Sequence, residues 1–447
     1  MERYGKYKDS GVEWIGEIPE GWGVKKLIRT VEKLTNGYVG PTRGIMQPEG
    51  IPYIQGIHIK NNTIRFTPNG NYYVSKEWSD AHEKSILKTN DLLVVQTGTI
   101  GDVGIVSNEF EGANCHALLI VRVDETVFCP KYCLYLLISP YGYASLQQIK
   151  TGEILFHING SKLKGIDMLV PPLSEQASIA NYLDRKTAEI DELIAQKERL
   201  IELYEEEKTA IINQAVTKGI DPDVRLKDSS VDWLGEIPEE WEVKRLRYVG
   251  NCQNGVSKGA DYFGTGFPFV SYGDIYNNFV LPQDVEGLAN STEIDQVNYS
   301  VIKGDVFFTR TSETIEEIGI SSTCLETINR AIFSGFLIRF RPFDGILFEG
   351  FSKYFFRSKL HRLFFVKEMN LVTRASLSQE LLKRLPVILP PFPEQCEIAS
   401  YLDQATSSID AKIAKTKRII ELQKEYRTAL ISEVVTGKIK VAEETTS

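Results

Sequence analysis

The sequence predicts an α+β protein built as two copies of one unit. Two globular domains, related by a pseudo-two-fold axis, are separated by two long antiparallel helices of coiled-coil character. Three observations carry this: a tryptophan-rich string written twice, a Pro-Pro entry into a long helical pattern written twice, and short strand-like runs between them. DSGVEWIGEIPEGW (Asp9–Trp22) returns as DSSVDWLGEIPEEW (Asp228–Trp241), with ten of fourteen letters identical and four of the five tryptophans of the chain. VPPLSEQASIANYLD (Val170–Asp184) returns as LPPFPEQCEIASYLD (Leu389–Asp403), and KTAIINQAVTKGI (Lys208–Ile220) as RTALISEVVTGKI (Arg427–Ile439), each displaced by 219 residues. Self-similarity of this kind marks a duplicated architecture.

These blocks predict a first globular domain over 1–173, a first spacer helix over 174–217 and a linker over 218–230. A second domain follows over 231–392, a second helix over 393–436 and a tail over 437–447. Inside the domains the copies diverge. GIPYIQGIHIKNN (Gly50–Asn62) matches GFPFVSYGDIYNN (Gly266–Asn278) at an offset of 216, and TNDLLVVQTGTIGDVGIV (Thr89–Val106) matches KGDVFFTRTSETIEEIGI (Lys303–Ile320) at 214. Short β-branched and aromatic runs punctuated by Gly, Asn and Asp read as strands and turns. The drifting offset places small insertions in loops, so the copies share a frame and differ in loop chemistry.

After each Pro-Pro the pattern becomes helical. Apolar residues fall at Ile179, Leu183, Ile190, Ile194, Ile201, Tyr204, Ile211 and Ala215, and again at Ile398, Leu402, Ile409, Ile413, Ile420, Leu430 and Val434. Gaps of threes, fours and sevens make one seam along each helix, which needs a partner. Each helix is the natural partner of the other. Ser174 is the expected N-cap, and Gly219 and Gly437 the expected stops.

Composition is that of an ordinary soluble protein, with 42% hydrophobic and 25% charged residues. No apolar run reaches the ~20 residues of a membrane span. The polar start MERYGKYKDSG lacks the apolar core of a signal peptide, and six scattered cysteines suggest a reducing cytoplasm rather than a disulfide framework. Cys129/Cys133 and Cys115-His116 have no second ligand pair at a suitable spacing, so no metal is expected. The net charge of −9 argues against a polyanionic partner until it is placed. The helices hold ten Asp/Glu against five Lys/Arg and seven against six, so most of the excess belongs to them and the globular parts are near neutral.

No phosphate loop, dinucleotide fingerprint, nucleophile elbow or His-Glu-x-x-His stands in the sequence, which argues against a self-contained enzyme. LPPF (Leu389–Phe392) and VPPL (Val170–Leu173) imitate an amine-gripping methyltransferase loop, but Leu389 and Val170 cannot accept a hydrogen bond. Pro222-Asp223 with Glu242-Val243-Lys244 imitates a nuclease, yet the first copy has Gly23-Val24-Lys25 there. The loops instead carry residue types that contact phosphates and base edges. In the first domain these are Arg43, Gln55, His58, Lys60, Asn61, Gln96, Thr97, His116, His157, Asn159 and Lys162; in the second, Lys258, Tyr272, Asp274, Arg310, Thr311, Ser312, Arg374 and Ser376. VVQTG (Val94–Gly98) against FFTRT (Phe307–Thr311) shows one loop with different polar letters in each copy. The tryptophan string does not vary, so it reads as a structural clip whose indoles pack each domain onto the helices.

The duplicated string, the duplicated PPxxEQ helix entry and the endings TAIINQAVTKGID and TALISEVVTGKIK together resemble the specificity (S) subunit of type I restriction–modification enzymes, over essentially the whole chain. The resemblance implies two target recognition domains and helices that act as a ruler between them. It implies a non-catalytic subunit that assembles with two modification subunits and two restriction subunits. S-adenosylmethionine, ATP and Mg are expected on those partners and no cofactor on this chain. The implied target is a bipartite duplex DNA sequence, asymmetric because the loops of the copies differ. The alternatives are a scaffold that organises partners through its long helices, and a self-contained DNA methyltransferase or nuclease.

Overall fold

The computed structural model describes residues 2–12, 15–66, 72–152, 156–312, 317–358, 360–368 and 375–441. They form two compact units, residues 1–197 with 418–447 and residues 198–417. The cut falls inside both long helices, so each helix contributes one half to each unit. The helices run Leu173–Lys218 and Phe392–Val435.

In the first unit the central sheet has the order 31–36, 118–123, 92–95, 103–105, 63–64, 59–60. Its middle strands, Leu92–Val95 and Leu118–Val121, are buried throughout, which is why they read as unbroken apolar runs. The second unit repeats this as 250–254, 337–342, 306–309, 321–323, again with buried centres. A three-stranded sheet accompanies each: 114–115, 51–54, 73–74 in the first unit and 288–289, 263–270, 332–333 in the second. The first sheet alone continues into the hairpin 59–60/63–64. Its turn residues Asn61 and Asn62 take φ of 50° and 63°, the left-handed pair of a tight hairpin turn.

Each sheet carries the same buried ion pair. Arg122 grips Asp91 through Nε at 2.7 Å and a terminal nitrogen at 2.6 Å, and Arg341 grips Asp305 at 2.6 and 2.7 Å. Both carboxylates are fully buried, and each also accepts a backbone N–H, from Lys88 and from Ile302.

The PPxxEQ entry explains itself in hydrogen bonds. Gln176 Nε2 donates to Pro171 and Val127 carbonyls while its Oε1 accepts from Cys129 N–H. Gln395 does the same with Pro390, Ile346 and Phe348. Each glutamine therefore ties the helix start to the loop that opens a helix of the domain, 130–138 or 349–357. The expected Ser174 cap is corrected: the helix starts one residue earlier and Gln176 N–H bonds to the Pro172 carbonyl. That position lies in the first turn, where a backbone N–H is unused, which is why Pro393 stands there in the second copy.

Each unit seats one tryptophan at the helix ends. Trp22, 1% exposed, donates to Glu175 at 3.1 Å, and Trp241, fully buried, to Glu394 at 2.8 Å. Tyr4 adds its hydroxyl to Glu175. The stop glycines lie against the same indoles. A Cβ on Gly437 (φ +73°) would come within 3.2 Å of Trp22, and one on Gly219 (φ +76°) within 3.4 Å of Trp241. The clip reading thus holds for Trp22 and Trp241. Trp233 departs from it: it is half-buried and packs on Phe364 at 6.4 Å. Trp14 lies outside the described residues.

The helix halves pair antiparallel in each unit. Arg427 bonds Asp191 at 2.9 Å in one, and Lys208 bonds Asp410 at 2.7 Å in the other. Asp191 and Lys208 are 17 residues apart on the first helix, and Asp410 and Arg427 are 17 apart on the second. Ile179, Leu183, Ile190, Ile194, Ile398, Leu402, Ile409, Ile413, Ile420 and Leu430 are buried. Ile201 and Ile211 are corrected to partly buried, and Ile212 takes the inward place. A straight helix drifts ~20° per heptad from a 3.5-residue seam, which moves the inward position along by one.

Candidate functional site

In each unit two distant segments meet at the end of the central sheet. The strand Leu92–Val95 runs into Gln96-Thr97-Gly98, and Ile158 N–H donates to the Gln96 carbonyl at 3.1 Å. Strand 157–158 pairs with 150–151, and Asn159 caps the short helix 160–163 by accepting from Ser161 N–H at 2.8 Å. Thr97, His157 and Lys162 are thereby brought onto adjoining segments, all exposed; Gln96 is buried and offers its backbone.

The second unit repeats the junction with other residues. Strand 306–309 runs into Arg310-Thr311, and Leu377 N–H donates to the Arg310 carbonyl at 2.7 Å. Thr311 pairs with Ser376, and Ser312 with Ala375. Arg310 and Thr311 are half-exposed. Arg374 lies outside the described residues. The bond from Ile158 to Gln96 and the bond from Leu377 to Arg310 are one contact made twice, with Gln-Thr-Gly on one side and Arg-Thr-Ser on the other.

Other expected contact residues lie elsewhere. Arg43 is exposed on a turn and Lys60 on the end of strand 59–60 of the first unit. His58 is corrected to a buried residue, between Phe66 and Tyr72 at 4.9 Å each, with Nδ1 accepting from Gln55 N–H at 3.0 Å. Burial lowers its pKa, and Gln55 serves as the other half of that capping box. His116 is half-buried, its ring 3.1 Å from the Tyr53 hydroxyl, with a pKa lowered by burial. Asp274 is corrected to a helix cap, since its carboxylate accepts from Ser271 N–H and Oγ at 2.7 Å. Tyr272 stacks on Tyr276 at 5.8 Å, and exposed Lys258 lies 5.8 Å from the Tyr262 ring.

Sequence reading missed a cleft in the first unit bordered by Asn36, Tyr38, Asp80, His82 and Lys84. His82 stacks on Trp78 at 4.0 Å, and Tyr38 meets both edge-on at 5.0 Å. The available signal was Trp78 itself, the one tryptophan outside the repeated strings.

Glu242 is paired with Lys244 at 2.6 Å on one exposed strand. Burial raises the thiols of Cys115, Cys133, Cys252 and Cys324, the last two to about 12. Among the described residues no three His, Cys, Asp or Glu are grouped to hold a metal ion, and no helix is long and apolar enough to cross a membrane.

A duplicated α+β frame that carries a different polar loop pair in each copy defines a two-domain recognition protein. The family model for the type I restriction modification DNA specificity domain matches residues 19–203 and 238–423, once in each half. The chain belongs to that family. It is 27% identical to the putative type I restriction enzyme MjaX specificity subunit of Methanocaldococcus jannaschii, with 96% of each chain covered. It is 23% identical to the type I restriction enzyme EcoKI specificity subunit of Escherichia coli K12, covering 94% of this chain and 91% of that one. The fold matches a chain solved in work on complex assembly and conformational transition of the type I R-M system, with a TM-score of 0.71 at 17% identity, over 94% of this chain and 99% of that one. It also matches the HsdS subunit from Thermoanaerobacter tengcongensis, with a TM-score of 0.57 at 17% identity, over 98% and 100%.

Proposed function

We propose that this chain is the DNA-reading subunit of a type I restriction–modification complex, each unit reading one half of an asymmetric, bipartite duplex target. The observation that carries this is the junction made twice with different side chains: Thr97, His157 and Lys162 in one unit, Arg310, Thr311 and Ser376 in the other. Side chains suited to phosphates (Lys162, Lys60 and Arg43 in one unit, Lys258 in the other) accompany groups suited to base edges (Thr97 and His157, and Arg310 and Thr311). The paired helices set the gap between half-sites.

On this reading the chain is non-catalytic and works in the cytoplasm with two modification and two restriction subunits. S-adenosylmethionine, ATP and Mg act on those partners. The test is co-expression with the modification subunits in a host free of adenine methylation, followed by mapping of methylated adenines. One bipartite motif with unlike halves is expected. Absence of any motif overturns the DNA-reading role, and two identical halves overturn the asymmetry.

A further inference from the structure

The two units differ by one residue at the turn that enters the strand beside the junction. In the first unit His116-Ala117-Leu118 spans this turn: Ala117 N–H donates to Tyr38, and the Leu118 carbonyl accepts from Gly37 N–H. In the second unit Gly335 N–H donates to Val256, and the carbonyl that accepts from Gly255 N–H is that of Leu337. The extra residue is Phe336. Without it the first turn is tight enough to force Ala117 to a φ of 51°. With it the second turn relaxes and leaves a phenylalanine 64% exposed.

Phe336 is fixed from both sides. Its N–H donates to Ser334 Oγ at 3.2 Å, and its carbonyl accepts from Arg310 N–H at 3.0 Å. The turn also abuts Ser257, the residue before Lys258: a Cβ on Gly335 would lie 2.2 Å from Ser257 Oγ. A large apolar ring therefore projects from a backbone held by hydrogen bonds, with the Arg310 guanidinium 3.5 Å from the Gly335 carbonyl and Lys258 next in sequence to Ser257. Exposing a phenyl ring is unfavourable in water, and an apolar side chain flanked by cations matches a stacked base step flanked by phosphates.

We infer that Phe336 is a wedge that enters between two neighbouring base pairs of the half-site read by the second unit. The second half-site is then selected partly by how easily one of its steps opens, as well as by Arg310 reading base edges. The first unit has no residue at this position. This inference rests on the DNA-reading role proposed above and adds how the second half-site is discriminated.

The experiment uses the full chain assembled with its modification subunits, as wild type, Phe336→Ala and Phe336→Leu. Selection from a randomised duplex library gives the bipartite motif, and the second unit's half-site is the one that Arg310→Ala relaxes. 2-Aminopurine is then placed at successive positions of that half-site. Away from the methylated adenine, wild type brightens the probe at one step, Phe336→Ala does not, and its affinity falls about tenfold, the order of one mismatched pair. Phe336→Leu retains part of both effects, and an unchanged unfolding midpoint shows that Phe336→Ala folds. Equal brightening and affinity in wild type and Phe336→Ala overturn the wedge, as does loss of modification-subunit binding with DNA selection intact, which would make Phe336 a protein-docking residue. A wild type that selects no bipartite motif fails at the DNA-reading role itself, a result distinct from either.

Discussion

Trp241 donates its indole N–H to Glu394 across 2.8 Å, and a second indole, Trp22, makes the same bond to Glu175 with the same separation of 153 residues. In each unit the tryptophan touches the start of one long helix through the glutamate and the end of the other through a glycine. Glu394→Ala leaves the buried indole N–H without a partner, which costs about 1–3 kcal/mol. A urea unfolding curve should show this as a lower midpoint, with Glu394→Gln recovering part of it. Unchanged midpoints would remove the bond from the frame's energetics.

Asp305→Ala should be more damaging. It removes a fully buried carboxylate from the partly exposed Arg341 guanidinium and frees the Ile302 N–H, losing charge-assisted bonds that contribute about 1.5–3 kcal/mol each. Asp91→Ala should match it in the first unit. Denaturant titration of both variants checks this, and a loss below 1 kcal/mol would contradict the buried geometry.

His58 sets a pH dependence. Burial lowers its pKa, so the unfolded chain binds the proton more readily than the folded one. The stability it contributes is present above the unfolded histidine value of about 6.5 and is lost as pH falls from there through the lower folded value. Unfolding free energy measured from pH 7.5 to 5 should decline on the acid side, and His58→Gln should flatten part of that decline.

Lys162 and Arg310 should separate in binding assays. Lys162→Ala should weaken binding to all duplexes by a similar factor and reduce the salt slope by about 1. Arg310→Ala should cost about 1–3 kcal/mol on the preferred target and relax selection in one half-site only. Identical behaviour of the two variants would remove the distinction between positioning and reading.

The helix register yields a length prediction. Removing residues 200–206 and 412–418 together deletes one heptad from each helix and keeps the seam in phase. At 1.5 Å per residue the loss is about 10 Å, or about three base pairs of gap. Library selection with the shortened chain reads the gap directly, and an unchanged gap would refute its setting by the helices.

The duplication, the seam and the stop glycines were legible in the sequence because each rests on local or periodic rules: a repeat, a 3.5-residue spacing, a residue that tolerates positive φ. The pairing of Thr97 with His157 and Lys162, or of Thr311 with Ser376, was not legible, because it depends on backbone bonds between segments about 60 residues apart. His58 and Asp274 were misread for a related reason. Both belong to residue types that contact DNA, and only the burial of the His58 ring and the capping bonds of Asp274 reveal their structural roles. Phe336 escaped notice because a one-residue insertion is visible only when the carbonyls on either side of it are matched between the copies.

The residues that seat each domain, Trp22 with Glu175 and Gly437 and Trp241 with Glu394 and Gly219, are the same three amino acids in both places. A domain from either position therefore meets the same tryptophan, glutamate and glycine in the other, so the loops can differ between the copies while the seat that holds them stays the same.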